Sequence, residues 1–313
     1  MIRVSVIIPT FNPDRTRLHR TLAGLRAQSL DASEWETVIV DNASTEFPAN
    51  AWLQSVAPIN TRVVPEPQPG LSHARRAGLN AAHGEFAVLV DDDNVLAPNY
   101  LTQALRLFDA TPKLGAAGGK SLPEFETEPP EWTREFFPLL ALRDLGSEQL
   151  IAESLRAPGA AREEYPLFAP IGAGMVLRRA AWLDWLGSAH DRGPSDRQGQ
   201  ALTSGGDNDI VLCVLRAGWS VAYSPKLQLT HLIPAGRLTA GYLARLNRGI
   251  QTSWMQVLSL HNVNPWPPLT TFGATLRKLK AWFVQGAWRN PVAQIRWQGA
   301  CGHFDGRVPR QKP

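Results

Sequence analysis

Three consecutive carboxylates, Asp91, Asp92 and Asp93, directly follow the apolar run 86–90. Adjacent negative charges repel one another unless a positive group lies close to them. A divalent cation would neutralise them, because hard cations prefer oxygen ligands and commonly carry phosphate. Taken alone, the triplet is equally compatible with a solvated acidic turn, so the rest of the chain must distinguish the two interpretations.

Two other polar segments follow predicted strands near the N-terminus. The segment 9–12 reads Pro-Thr-Phe-Asn, and Asp41-Asn42 ends the run 37–40. Ligands of open parallel sheets bind at the carboxyl ends of strands, where a carboxylate can accept hydrogen bonds from a base or a ribose hydroxyl. Asp and Asn are also common turn-capping residues, so both interpretations of Asp41 stay open at this point.

The segment 70–76, Gly-Leu-Ser-His-Ala-Arg-Arg, predicts a tight turn and the start of a helix. Ser72 can cap that helix, and Arg75 and Arg76 would lie in its first turn. Two arginines at a helix N-terminus raise the local positive potential, which favours an anion such as a diphosphate. A solvated basic face is the alternative, and it suits Arg76 better than Arg75.

A second acidic cluster, Gly-Gly-Asp-Asn-Asp at 205–209, is predicted to open a helix. Helix capping accounts for one of its two aspartates, Asp207 or Asp209, and leaves the other available as a base or a ligand. Further on, His231 follows a strand predicted over 218–223. It can bind a metal, although a lone histidine commonly has a structural role.

Strands and helices alternate through the first half of the chain, and they would position these side chains. This βαβ alternation predicts an α/β protein with a doubly wound, mainly parallel sheet and flanking helices. The segment 119–168 has no clear period and is expected to form loops or short helices. Strands are predicted over 4–8, 37–40, 62–64, 86–90 and 171–177, and helices over 14–28, 72–83, 179–186 and 207–217.

Composition excludes several protein classes. With 44% hydrophobic and 19% charged residues in a chain of 313, the protein is predicted to be globular. Cys213 and Cys301 form no CxxC motif, which argues against a disulfide scaffold or a zinc site and fits a reducing cytoplasm. No secretory signal or spanning apolar run is evident, so a cytoplasmic location is expected.

Residues 235–313 form a basic, Trp-rich region with eleven Lys or Arg and one acidic residue, Asp305. Apolar spacing predicts helices there, with a break at 264–268. The pattern suits a helix lying on anionic lipid at the inner face of a membrane, or a helix packed on the preceding α/β part of the chain with a solvated basic face. No nucleic-acid partner is expected, because no binding motif is present.

The motifs follow one another along the chain in the order Pro-Thr-Phe-Asn, Asp-Asn-Ala-Ser, Gly-Leu-Ser-His-Ala-Arg, Asp-Asp-Asp, Gly-Gly-Asp-Asn-Asp and a late His. In this order they resemble the family 2 glycosyltransferases over about 1–232. The resemblance implies the GT-A fold and a catalytic domain over 1–234. Its nucleotide-binding half would be 1–118 and its acceptor half 119–234, followed by the basic helical C-terminal region 235–313.

The resemblance also implies roles for single residues. Asp207 would be the general base of an inverting enzyme, although Gly206 replaces the Glu that usually precedes it, which puts acceptor hydrogen bonding in doubt. Asp93 would hold Mn²⁺ or Mg²⁺, with His231 on the metal or diphosphate. The implied nucleotide-sugar-binding residues are Pro9, Thr10, Asn12, Asp41, Asn42, Arg75, Asp91 and Asp92.

The predicted function is transfer of a sugar from a nucleotide diphosphate donor, of UDP type, to a hydroxyl of a carbohydrate or lipid-linked acceptor, as in polysaccharide biosynthesis. A nucleotidyltransferase is the first alternative, but its usual Gly-rich, basic loop is replaced here by Phe-Asn-Pro-Asp at 11–14. A non-catalytic sugar-nucleotide-binding relative is the second. It would be expected to have lost Asp93 or Asp207, and both are present.

Overall fold

The structure is a computed structural model and describes residues 1–188 and 202–309. The chain forms two compact units. Of the described residues, the first comprises 1–124, 141–188 and 210–233, and the second 125–140, 202–209 and 234–309. The domain limits proposed from the sequence, 1–118, 119–234 and 235–313, stay predictions.

The first unit is built on a sheet that has nine strands within the described residues, with the order β3-β2-β1-β4-β8-β6-β9-β5 and β7 beside β9. The strands are β1 (Val4–Thr10), β2 (Trp35–Asp41), β3 (Thr61–Pro65), β4 (Phe86–Leu89), β5 (Asn94–Leu96), β6 (Leu114–Phe125), β7 (Leu150–Ala152), β8 (Val176–Arg178) and β9 (Ser220–Ile233). The flanking helices are α1 (Arg15–Arg26), α2 (Asn50–Val56), α3 (Leu71–Ala81), α4 (Tyr100–Ala110) and α5 (Arg179–Gly187).

The sheet joins a parallel half to an antiparallel half. β1 pairs in parallel with β2 and β4, and β2 pairs in parallel with β3. The pairings of β4 with β8, β6 with β8, β5 with β9 and β7 with β9 are antiparallel. The α/β fold predicted from the alternating strands and helices is therefore confirmed, and its parallel part lies in the first ninety residues.

Local sequence accounts for the parallel half. Every residue of β1 is buried, as its apolar run predicts. In the helix predicted over 14–28, observed as α1, Leu18, Leu22 and Leu25 are buried, because a spacing of three to four residues places them on one helix face. Asp14 caps α1 by accepting a hydrogen bond from the N–H of Arg17 (2.9 Å).

Several expectations for single elements were wrong. The strand predicted over 171–177 covers only Val176–Arg178, and the strand predicted to end at 223 continues through His231. Ser72 does not cap α3, because the cap position is Gly70, whose φ of 140° suits glycine. Because α3 begins at Leu71, Arg75 and Arg76 lie just beyond its first turn rather than within it. Helix α4 and strand β6 were not predicted.

A helix across the unit boundary, α6 (Gly206–Arg216), leads from the second unit into the first. The second unit also contains α7 (Ala240–Leu260), α8 (Thr271–Gln285) and α9 (Pro291–Gly306), and the predicted break at 264–268 lies between α7 and α8. Helices α7 and α9 pack closely: Gly302 lies against the backbone of Arg248, where a Cβ would not fit. Among the described residues, no helix is both long and apolar enough to cross a membrane.

Candidate functional site

Three of the polar segments singled out in the sequence lie at one edge of the sheet. The parallel register of β1 and β2 pairs Thr10 with Asp41. The register of β1 and β4 pairs Ile7 with Leu89, so the chain leaves the sheet at Asp91 along the same edge. This is the edge of an open parallel sheet at which ligands bind.

Asp41 and Asn42 have different local partners. Oδ1 of Asp41 accepts a hydrogen bond from the N–H of Ser44 (3.1 Å), and the residue is partly exposed. The amide of Asn42 is buried and donates to the carbonyl oxygens of Glu66 (3.1 Å) and Gln68 (2.7 Å). Its Oδ1 accepts from the N–H of Gly70 (2.7 Å). Asn42 therefore positions the loop that leads into α3.

Asn12 links the ends of β1 and β2. Its φ is 46°, a left-handed conformation that asparagine tolerates better than most residues. Its Oδ1 accepts from the N–H groups of Thr45 (2.8 Å) and Glu46 (3.0 Å), and its N–H donates to Oγ of Ser44 (2.9 Å). The predictions missed Ser44, although Asp-Asn-Ala-Ser is typical of a side-chain-capped turn.

The two neighbouring strand-end residues of β1 are buried. The hydroxyl of Thr10 donates to the carbonyl oxygen of Val40 (3.3 Å), and Pro9 pairs with Val40 in the register of β1 and β2. These contacts hold the end of β1 against β2.

Arg75 and Arg76 occupy different surroundings. Arg75 is buried beside Gly172, where an added Cβ would lie 3.2 Å from Cζ of Arg75 and closer still to Nη2. Glycine at 172 thus provides the space that the guanidinium occupies. Arg76 instead stacks over Trp185, with Cζ 4.6 Å from the ring centroid, and donates to the carbonyl oxygen of Leu186 (3.2 Å). Arg76 is therefore a packing residue rather than a solvated one.

The last carboxylate of the acidic triplet is buried, with Asp93 only 3% exposed and His231 4% exposed. The antiparallel register of β5 and β9 pairs Asn94 with His231. This pairing places Oδ1 of Asp93 3.4 Å from Nε2 of His231 and 3.1 Å from Nδ2 of Asn94. A solvated turn does not account for Asp93, whereas Asp91 and Asp92 are only partly buried.

Asp93 and His231 fit a shared divalent cation. Two ligand atoms bound at about 2.1 Å to one ion lie roughly 3 Å apart, close to the separation of Oδ1 and Nε2 in the structure. A carboxylate oxygen is a suitable ligand for both Mg²⁺ and Mn²⁺. An imidazole nitrogen favours Mn²⁺, because Mn²⁺ is the transition metal ion of the two. Asn94, which the predictions did not include, orients the carboxylate by its hydrogen bond.

The predicted general base, Asp207, belongs to the second unit. It lies in the first turn of α6, is partly exposed, and its Oδ1 accepts from the N–H of Asn208 (3.0 Å). Asp209 is buried, and its Oδ1 lies 2.7 Å from Nε2 of the buried His261. Of the two aspartates in this cluster, Asp209 is thus bound to His261, and Asp207 is the one that solvent reaches.

Comparison with known proteins adds a family match. A family model described as glycosyl transferase family 2 matches residues 5–182. Over 143 residues the chain is 27% identical to the poly(ribitol-phosphate) beta-N-acetylglucosaminyltransferase TarS of Staphylococcus aureus. That match covers 42% of this chain and 25% of TarS, so the chain spans far less than two thirds of this curated relative.

Two solved structures share the fold. A mannosyltransferase, PcManGT from Pyrobaculum calidifontis in complex with GDP-Man and Mn²⁺, has a TM-score of 0.58 at 20% identity, over 93% of this chain and 73% of that one. The structure of residues 1–349 of S. aureus TarS with UDP-GlcNAc has a TM-score of 0.56 at 14% identity, over 98% of this chain and 90% of that one. At these identities the similarity establishes the fold, which is of the GT-A type.

Proposed function

The chain belongs to glycosyl transferase family 2, and from that premise we propose that it is an inverting, metal-dependent enzyme acting on a nucleotide diphosphate sugar. The observation that carries the proposal is the buried pair of Asp93 and His231. It lies in the unit whose sheet edge also presents Thr10 and Asp41. The family match favours sugar transfer over the nucleotidyltransferase and non-catalytic alternatives.

In the proposed mechanism, Thr10 and Asp41 bind the nucleotide, with Asp41 accepting hydrogen bonds from the base, and Arg75 lies beside the nucleotide. Asp93 and His231 would hold the divalent cation, which would supply charge neutralisation for the departing diphosphate. Asp207 acts as the general base: it removes the proton of the acceptor hydroxyl as that oxygen attacks C1 of the sugar. A single displacement from the opposite face inverts the anomeric centre.

Asp91 and Asp92 are proposed to accept hydrogen bonds from the ribose. Pro9, Asn12 and Asn42 contribute by holding the loops of the edge, as their bonds to neighbouring loops support.

The donor and acceptor are proposed at the level of chemical class. A UDP-type donor is supported by the TarS complex with UDP-GlcNAc, and GDP is the competing base because PcManGT is bound to GDP-Man. A carbohydrate or lipid-linked acceptor in polysaccharide biosynthesis is supported by the name of TarS, which acts on poly(ribitol-phosphate). A cytoplasmic location is proposed with it, because a content of only two cysteines, both buried, is typical of proteins from a reducing compartment.

Thermal unfolding with nucleotides tests the proposal. We expect UDP, or else GDP, to raise the Tm with Mn²⁺ present and to raise it much less without the metal, since ligands stabilise the state they bind. Asp93→Asn should remove the Mn²⁺-dependent part of the shift, because a neutral amide is a poorer cation ligand. Asp184→Asn, at a carboxylate bonded to Trp219 instead, is the control and should keep the shift. No shift with any nucleotide diphosphate would contradict the proposal.

A further inference from the structure

Helix α8 directs its apolar stripe outward. Phe272, Leu276, Leu279 and Phe283 recur at intervals of three and four residues, which places them on one face of the helix. Their exposures are 78%, 57%, 56% and 64%, so none of them contributes to a core. A surface helix ordinarily turns such a stripe toward the protein interior.

The opposite face of α8 packs on its own unit. Ala274 is buried, and the ring of Trp282 lies edge-on against Trp297 with centroids 4.6 Å apart. Nε1 of Trp297 donates to the carbonyl oxygen of Lys278 (3.0 Å), and Nζ of Lys278 lies 2.7 Å from Oδ1 of Asp305. The helix is therefore anchored without its apolar stripe, which stays available for a partner.

The charged side chains of α8 itself are all basic. Arg277, Lys280 and Arg289 are exposed beside the stripe, and the segment 235–304 contains no Asp or Glu. Trp288 extends the apolar surface: its ring lies 6.0 Å from that of Phe283, and the guanidinium of Arg289 lies 5.6 Å from its centroid. Amphipathic rings of this kind favour a boundary between apolar and aqueous phases.

We propose that α8 binds in the plane of an anionic phospholipid bilayer, with the stripe in the acyl boundary and the basic side chains at the headgroups. A second copy of the chain fits less well. A two-fold contact through this stripe would bring Arg277 and Lys280 of both copies together without an acidic partner on the helix. An anionic lipid surface satisfies both the apolar and the basic residues, and the inference does not depend on the proposed reaction.

Vesicle flotation tests this assignment. The wild type should float with vesicles of phosphatidylcholine and phosphatidylglycerol in equal amounts, and less with phosphatidylcholine alone. Leu276→Gln with Leu279→Gln should weaken binding by about tenfold or more, because burying a large apolar side chain is worth about that factor. Arg277→Gln with Lys280→Gln should weaken only the binding to anionic vesicles, and salt should weaken the wild type similarly.

The matched control is Leu167→Gln with Leu183→Gln, which removes two leucines of the first unit that are 88% and 52% exposed. We expect it to float like the wild type. All variants change exposed side chains, and circular dichroism with thermal melts checks that they fold. A wild type that does not float, or a Leu276/Leu279 variant that floats equally well, overturns the proposal. A wild-type dimer that this variant dissolves, seen by sedimentation without flotation, would assign the face to a second copy instead.

Discussion

Replacing Gly172 with alanine tests whether Arg75 contributes to nucleotide binding. The new Cβ would lie 3.2 Å from Cζ of Arg75 and closer to Nη2, inside van der Waals contact, so the guanidinium must shift by about 1 Å. A hydrogen bond to a charged group is worth about 1.5–3 kcal/mol. Misaligning it should therefore raise the Kd for the nucleotide diphosphate about 10- to 100-fold. Gly172 does not have a left-handed φ, so alanine adds no backbone strain there.

Calorimetric titration of UDP in the presence of Mn²⁺ measures this effect, with GDP as the second ligand. Gly187→Ala is the matched control, because a Cβ at Gly187 meets no atom within 4 Å. Arg75→Lys should resemble Gly172→Ala, since lysine keeps the charge but not the forked geometry. A Gly172→Ala protein with wild-type affinity and an unchanged Tm would refute the role of Arg75. Affinity lost together with a large fall in Tm would instead indicate a damaged fold.

Two further predictions concern acidic residues. Asp207→Asn should lower kcat by about 10²–10⁴-fold with little change in donor Kd, and near-full transfer by this variant would exclude Asp207 as the base. Burial acts to raise the pKa of Glu36, but hydrogen bonds from Ser5, the N–H of His83 and Arg62 outweigh it and lower the pKa to about 2. Because the folded-state pKa is depressed, this stabilisation is complete above about pH 4.5 and is lost as the pH falls toward 2, a loss of roughly 3 kcal/mol. Urea unfolding across this range should show the loss in the wild type and much less of it in Glu36→Gln.

Local sequence patterns were sufficient to predict the parallel half of the fold. The buried run of β1, the inner leucines of α1 and the polar residues that end each strand are short-range signals, and they placed Thr10, Asp41 and Asp91 at one edge. The same holds for the helical spacing of α8. These features depend on neighbours within a few residues, so a single sequence suffices to find them.

Long-range contacts could not be predicted in the same way. The approach of His231 to Asp93 depends on the antiparallel pairing of β9 with β5, and nothing near either residue encodes that register. The fit of Gly172 around Arg75 likewise joins distant segments. For α8, apolar spacing predicted a helix, but only its packing, with Trp282 against Trp297, shows which side faces outward.

The bonds of Asn42 have a consequence for how this enzyme could change its donor. Its amide fixes the loop 66–70, which leads directly into the helix of Arg75, while the adjacent Asp41 is the proposed base reader. One side chain thus links the segment of Asp41, which is proposed to bind the base, to the segment of Arg75, which is proposed to lie beside the diphosphate. Substitutions at Asp41 could alter base preference while the diphosphate end stays in place, provided that Asn42 is kept. Losing Asn42 would loosen both ends together, so selectivity and affinity would fall in the same step.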